Sequence, residues 1–580
     1  MKELKYLNKY FYKYKYHFLF GILITIIAQF ITLYTPKLIG ESIKVLENVN
    51  ETAQAKTEAI SLNIVLVIIT TLVAGFFTFL MRQTLIVMSR HIEYDLKNEV
   101  FTKYEQLSQE FYKNNRIGDL MNRISEDVGK VRQYVGPAVM YTINTVIRFA
   151  VVLIQMYIIS PKLTFYTLLP LPLLSYFIYK VSTQINIRSS IFQANLSTLS
   201  TFTQEVFSGI HLVKAHGIEK SKFSEVKDLS NQSKTKNLSL VKVNALFGPL
   251  MVLLIGLSNL IVIYIGGKMY VEGAINDIGI IAQFILYINM LTWPIASLGW
   301  VSTMVKEAEA SQQRINEFLK VEPTIVNTVT NKTIIKGSIA FNNVTFTYPD
   351  TGITALQNVS FKLNEGETLA ILGNTGSGKS TILNLISRLY DTNSGEILID
   401  GIATPKHNLY NLRNNIAVVP QDAFLFSDTI ENNIKFGKKQ ATFSEVENAA
   451  KLAHVHHNII DFTKGYQTIL GERGISLSGG QKQRLSIARA LIKDAPILLF
   501  DDCLSAVDNE TEEIILNNIK TTTKNKTTII VTHRVSAAFQ ADKIIVLENY
   551  KIKEIGNHNE LISLNGYYKN LFDKQIHNKK

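Results

Sequence analysis

The sequence predicts an α-helical membrane domain of six spans, followed by an α/β domain with a phosphate-binding loop. Three observations carry that expectation. Long uncharged apolar runs crowd the first half of the 580 residues, short β-rich runs punctuated by turns fill the second, and a strand–loop–helix signature opens that second part. The make-up is 47% hydrophobic and only 19% charged, and the apolar excess is concentrated ahead of residue 320. Length alone allows several domains. The expected boundaries are a membrane domain over 1–320, a linker over 321–337 and the α/β domain over 338–580.

A helix needs about 20 largely apolar residues to cross the hydrocarbon core. Four stretches meet this without a formal charge: His17–Pro36, Ala59–Met81, Val243–Gly267 and Ile278–Val305. A fifth, Leu163–Tyr179, is short and carries Pro170 and Pro172, which spans tolerate when neighbours satisfy the freed backbone. The sixth, Ala138–Ser160, contains Arg148. A charge at a span centre costs roughly 2.5–3.5 kcal/mol, so Arg148 either faces a cavity or partner, or snorkels to the cytoplasmic side. Trp293 and Pro294 lie in the last span, where proline can kink a helix or simply pack.

The N-terminus resembles a signal peptide, but its apolar run is too long, it lacks a clear small-residue cleavage site, and further spans follow. Six spans put both termini on one side. The loop Glu41–Glu58 has four acidic and two basic residues, whereas Arg82–Arg132 and Lys180–Lys242 are long and basic-rich. The positive-inside rule places those two segments and both termini in the cytoplasm. Both segments read as helical hairpins reaching beyond the bilayer, with short turns expected around Phe111–Asp119 and Gly209–Gly217.

The net charge of +12 does not point to nucleic acid. Much of the basic excess flanks apolar runs (Lys2, Lys5, Lys9, Lys13 and Lys15 before the first), and no arginine-rich tract or zinc-finger spacing is present. The single cysteine, Cys503, excludes an intrachain disulfide and a multi-cysteine metal site; it is expected to pack. His454, His456 and His457 read as exposed helix residues.

In the second half, Thr368–Leu372 reads as a buried strand. It leads into Gly373, Asn374, Thr375, Gly376, Ser377, Gly378, Lys379 and Ser380, then a helix from Thr381. This is the G-x-x-x-x-G-K-[ST] phosphate loop in its confirming context. Glycines let successive N–H groups point at phosphate oxygens, and the helix N-terminus adds favourable charge. Lys379 is expected on the β- and γ-phosphates and the Ser380 hydroxyl on Mg²⁺. Further on, the apolar strand Pro496–Phe500 ends in Asp501 and Asp502. Asp501 suits the Mg²⁺-holding carboxylate of phosphate-loop enzymes, and Asp502 is placed to orient water.

Between these lies Leu477-Ser478-Gly479-Gly480-Gln481, the signature of ATP-binding cassettes. With it the chain resembles ABC exporters of the bacterial multidrug and lipid type, over nearly its whole length. The resemblance implies ATP and Mg²⁺ as ligands and export of a drug-like or lipid-like amphipathic molecule by alternating access. It also implies a place in the bacterial cytoplasmic membrane, among membrane lipid. Tyr348 matches the adenine-stacking aromatic and Gln421 the Mg²⁺-sensing Q-loop. Ser505–Asp508 match the D-loop, Asp508 closing it, and His533 the switch histidine on the γ-phosphate. Gly471-Glu472-Arg473-Gly474 resembles the segment that contacts coupling helices, and Ala310–Ile315 the usual junction. The membrane half shares Phe111, Gly118–Met121 and Arg123 near the first coupling helix, and Gln204, Glu205 and Gly209 in the second cytoplasmic loop. No peptidase domain of the kind carried by peptide-processing exporters is expected ahead of the first span. An exporter-fold importer and a regulatory ATP-binding subunit are the alternatives.

One residue departs from the family pattern: Asp502 stands where glutamate usually follows the Walker B aspartate. Aspartate is one methylene shorter, and misplacement by about 1 Å can cost on the order of a hundredfold in rate. In the family such a residue often marks the weak site of an asymmetric pair. The chain bearing it keeps an intact LSGGQ, which completes the partner's site. A heterodimer with a second half-transporter is therefore the favoured expectation, with a homodimer as the alternative.

Overall fold

The computed structural model describes residues 2–48, 52–471, 474, 477–505 and 507–577. The chain folds as two compact units: Met1–Lys103 with Gly118–Val321, and Tyr104–Ile117 with Glu322–Lys580.

The first unit is all helix. Its long rods are α1 (Lys15–Glu47), α2 (Ala53–Gln106), α4 (Ile117–Ile159), α8 (Glu219–Val271) and α9 (Gly279–Leu319), and among the described residues these five are long and apolar enough to span a membrane. The stretch Leu163–Tyr179 is also helical but is shared between α5 (Pro161–Leu168) and α6 (Pro170–Ser208). Leu169 keeps helical dihedrals there, so the interruption comes from Pro170 and Pro172, which have no N–H to donate. Pro36 similarly interrupts α1 at Leu33. Two π-type turns, Arg123–Asp127 and Tyr134–Ala138, interrupt α4, the second around Pro137. Only 6% of the most apolar window of α2 is buried, and Leu62, Ile68, Leu72 and Phe76 are exposed. Such a face is stable against lipid rather than water.

The turns expected at the two hairpin tips are in fact short helices, α3 (Gln109–Asn114) and α7 (Ile210–Ala215), each bounded by the bends. Both segments hold a helical turn because neither contains an internal proline or glycine. The segment carrying α3 belongs to the second unit.

The second unit holds two sheets. The four-stranded one runs β2 (Thr354–Leu363), β1 (Ile339–Thr347), β4 (Ser394–Ile399), β5 (Ile402–Ala403). The six-stranded one has the order β10 (Lys551–Gly556), β9 (Lys543–Glu548), β3 (Thr368–Gly373), β8 (Thr527–Val531), β7 (Ile497–Asp501), β6 (Ile416–Val419). All its pairings are parallel except β9–β10. The central strands read as continuous apolar runs because both faces are covered. Apolar clusters lie on the two sides, one centred on Leu369, Ile371, Leu499 and Ile529, the other on Leu498, Phe500, Leu485 and Cys503. The parallel order sets the carboxyl ends of β3, β8 and β7 side by side, with Ile371 opposite Val531 and Val531 opposite Asp501. Ligands bind at such ends in open α/β sheets.

Candidate functional site: a phosphate-loop cavity

Strand β3 runs into the loop 373–378 and then α10 (Lys379–Ile386). Gly378 sits at φ +96°, and a Cβ there would collide with the carbonyl of Ala355, so only glycine fits the step into the helix. The Lys379 ammonium folds back over the loop, donating to Gly373 O and Asn374 O at 2.9 Å each. Burial lowers its pKa, opposed by the charges of Asp502 and Asp501. The Ser380 hydroxyl donates to Asp501 Oδ1 at 2.8 Å, joining the helix start to the end of β7. Burial pushes the Asp501 carboxyl up; the Ser380 bond opposes this and the Asp502 charge adds to it.

Asp502 lies one residue past β7, at φ +43°, with its N–H donating to Val531 O at 2.9 Å. That left-handed conformation is uncommon outside glycine, and aspartate is among the residues that tolerate it. His533 follows β8, its backbone carbonyl held by Gln575 Nε2 at 2.9 Å. Tyr348 and Thr381 share a hydroxyl–hydroxyl hydrogen bond of 3.0 Å, and the Tyr348 ring packs edge-on against Phe346 and Tyr390.

These groups enclose one cavity of about 400 Å³. Tyr348, Thr375, Gly376, Gly378, Lys379, Ser380, Thr381, Gln421, Asp501, Asp502 and His533 all line it. An aromatic wall at one place, a cationic loop rich in N–H donors at another, and two carboxylates beyond it suit a base, a polyphosphate and a divalent cation in turn. The hydroxyl and carboxylate already at hydrogen-bond distance are hard oxygen donors of the kind Mg²⁺ takes. Gly373, Asn374 and Ser377 shape the loop without lining the cavity.

Other expected site residues are elsewhere. None of Leu477, Ser478, Gly479, Gly480 and Gln481 lines the cavity. Ser478 instead caps α11 (Gly479–Ile492) in a reciprocal capping box with Gln481. Asp508 caps α12 (Asn509–Thr522), accepting from the Thr511 N–H at 2.9 Å, so in this chain its carboxylate serves the helix end. Glu472 and Arg473 lie outside the described residues. His454 and His456 are half-buried rather than exposed, with His456 Nδ1 bonded to the Tyr466 hydroxyl at 2.8 Å; the apolar packing after Ala453 draws them in. Cys503 is buried, and burial pushes its thiol far up, as packing requires.

Two contributors carry no motif of their own in the sequence. Lys113, at the end of α3, lines the cavity with its ammonium 4.4 Å from the Tyr348 ring centroid, a contact across more than two hundred residues that no local motif encodes. Arg534 pairs with the buried Glu512 and donates to Ser505 O and Val507 O at 3.2 and 3.3 Å, tying the segment after β7 to the one after β8. Its position beside His533 was the available clue.

Comparison with known proteins agrees with this geometry. Residues 356–505 match the family "ABC transporter" and residues 18–295 the family "ABC transporter transmembrane region". The chain is 35% identical to the multidrug resistance-like ATP-binding protein MdlA of Escherichia coli, covering 99% of this chain and 97% of that protein. It is 33% identical to the probable multidrug resistance ABC transporter ATP-binding/permease protein YheI of Bacillus subtilis, with 99% and 97% covered. Among solved structures, a bacterial Atm1-family ABC exporter with ATP bound superposes with a TM-score of 0.81 at 26% identity, covering 96% of this chain and 99% of the other.

Proposed function

The chain belongs to the ABC transporter family, and from that premise we propose that it exports an amphipathic small molecule as the weaker-site half of a heterodimer. Membership carries the coarser statement: this is a membrane protein whose ATPase domain drives export. The proposed setting is the cytoplasmic membrane of a bacterium, with both termini and the cassette in the cytoplasm.

The cavity at the ends of β3, β7 and β8 is the observation that carries the reading. Tyr348 stacks the adenine; the loop N–H groups and Lys379 hold the phosphates. Ser380, Asp501 and Gln421 would hold Mg²⁺, which would neutralise phosphate charge when bound. Asp502 accepts a hydrogen bond from the attacking water, and His533 donates to the γ-phosphate. LSGGQ and Asp508 lie away from this chain's own cavity, which fits a role for these segments in completing a second site on a partner cassette. ATP then draws the two cassettes together, the movement turns the spans outward, and hydrolysis resets them.

The pairing is tested by purifying the tagged chain from its own membranes and identifying what accompanies it. A second half-transporter with glutamate after its Walker B aspartate is expected. A stoichiometric homodimer with full ATPase activity would overturn the heterodimer.

A further inference from the structure

Arg148 lies at the centre of the 21-residue segment Val139–Ile159 of α4. Its Nε donates to Gln29 Oε1 on α1 at 2.8 Å, and Gln29 Nε2 donates to Asn144 Oδ1 at 2.6 Å. A guanidinium has five N–H donors, and this contact uses one. Among the described residues no carboxylate pairs with it. None could do so from the spans, because residues 15–40, 59–92, 128–204, 243–271 and 278–306 contain no Asp or Glu. A cation held mid-span without a counter-ion is costly, and a negative group brought there by a ligand would offset that cost.

The surroundings say what kind of group that is. Tyr141, Asn144, Arg148 and Gln155 recur at helical spacing and form one polar stripe on α4, about 21 Å long at a rise of about 1.5 Å per residue. At one end a cavity of about 600 Å³ is lined by Tyr141 and Trp300, whose rings meet edge-to-face at 5.1 Å, together with Arg82 and Arg132. At the other end a cavity of about 270 Å³ is lined by Phe30, Tyr34, Lys37 and Gln155. Arg132 is already paired with Glu93 at 3.4 Å, and Lys37 lies 3.8 Å from Glu41, which leaves Arg82 and Arg148, among the described residues along the stripe, as the uncompensated cations. The first cavity thus joins an aromatic wall to the uncompensated cation Arg82, while the second joins one to the paired Lys37.

We propose that the transported substrate is an amphipathic organic anion, an apolar body bearing a carboxylate, sulfonate or phosphate, and that Arg148 holds its headgroup midway along the stripe. This deepens the exporter reading and rests on it. The same chemistry is offered by a free organic acid and by an anionic lipid headgroup, and the test separates them.

The full-length chain, purified with its accompanying half-transporter, is reconstituted in phosphatidylcholine vesicles. ATP hydrolysis is followed with a pyrenylhexanoate and with the pyrenylhexyl-trimethylammonium of equal chain length. Charge-assisted hydrogen bonds to the headgroup predict half-stimulation by the carboxylate at a concentration at least about tenfold lower. In Arg148→Gln the ratio between the two probes falls to about one, and Arg148→Lys retains part of it. Stimulation by phosphatidylglycerol that the carboxylate cannot add to identifies a lipid headgroup as the anion. A wild-type ratio of one or below, a ratio unmoved by Arg148→Gln, or no response to any anion with hydrolysis intact overturns the proposal. Absence of ATP hydrolysis under every condition would instead sink the exporter reading beneath it.

Discussion

Replacing Asp502 by glutamate sets two structural effects against each other. The backbone at Asp502 is left-handed, φ +43°, where non-glycine residues other than Asn and Asp cost about 1–2 kcal/mol. Glutamate loses the local tolerance of aspartate, so Asp502→Glu should destabilise the cassette by about 1 kcal/mol, a shift of about 2–4 °C in Tm for a unit of this size. In the same substitution the carboxylate gains one methylene of reach into the cavity. If aspartate falls about 1 Å short of the water, restoring reach gains up to about a hundredfold, or about 2.7 kcal/mol of barrier. The rate gain therefore outweighs the stability loss. The assay is ATP hydrolysis by the purified transporter with the partner's site silenced, beside a melting curve. A rise of tenfold to a hundredfold with a lower Tm is expected, and Asp502→Asn should slow hydrolysis further. A rate unchanged in Asp502→Glu but abolished in Asp502→Asn would show that aspartate is already competent, refuting the weak-site argument.

Three further outcomes follow from the same cavity. Lys379→Ala removes the ammonium that spans the loop carbonyls at 2.9 Å and should weaken nucleotide binding at this site at least about a hundredfold in a fluorescent-nucleotide titration; unaltered affinity would refute the assignment. Lys113→Ala vacates the face of Tyr348 and should tighten binding about twofold to fivefold, the worth of an exposed cation–π contact of about 0.5–1 kcal/mol, whereas weakened binding would mean that Lys113 contacts the nucleotide itself. Because burial raises the Asp501 pKa, that carboxyl keeps its proton to higher pH than a free one. Its favourable contribution to stability is therefore present at low pH and lost as pH rises through the raised value. Loading Mg²⁺–nucleotide needs the carboxylate, so affinity should fall and proton release should grow as pH drops into that range, as calorimetry in two buffers would read.

How much of this was legible in the sequence depended on distance along the chain. The phosphate loop, the acidic end of β7 and the apolar spans are local patterns, and Lys379, Ser380, Asp501 and His533 meet in the cavity as their motifs imply. The hairpin tips were less legible, because Gln109–Asn114 lacks the strong apolar periodicity that marks a helix and is helical over six residues only. Lys113 reaches Tyr348 through tertiary packing, which local sequence does not encode. Asp508 has a second duty that its motif did not announce: it caps the helix that follows by accepting from the Thr511 N–H. Arg148 stood out in the sequence as a charge in a span, but only its bond to Gln29, with two cavities along one stripe, gave it a partner and a direction.

Transport itself is the most direct measurement. Inside-out vesicles from cells producing the chain with its partner should accumulate a labelled amphipathic anion when ATP is added, and should not do so with Lys379→Ala in this chain combined with the silenced partner site. Accumulation only in right-side-out vesicles, or uptake indifferent to ATP, would contradict the account.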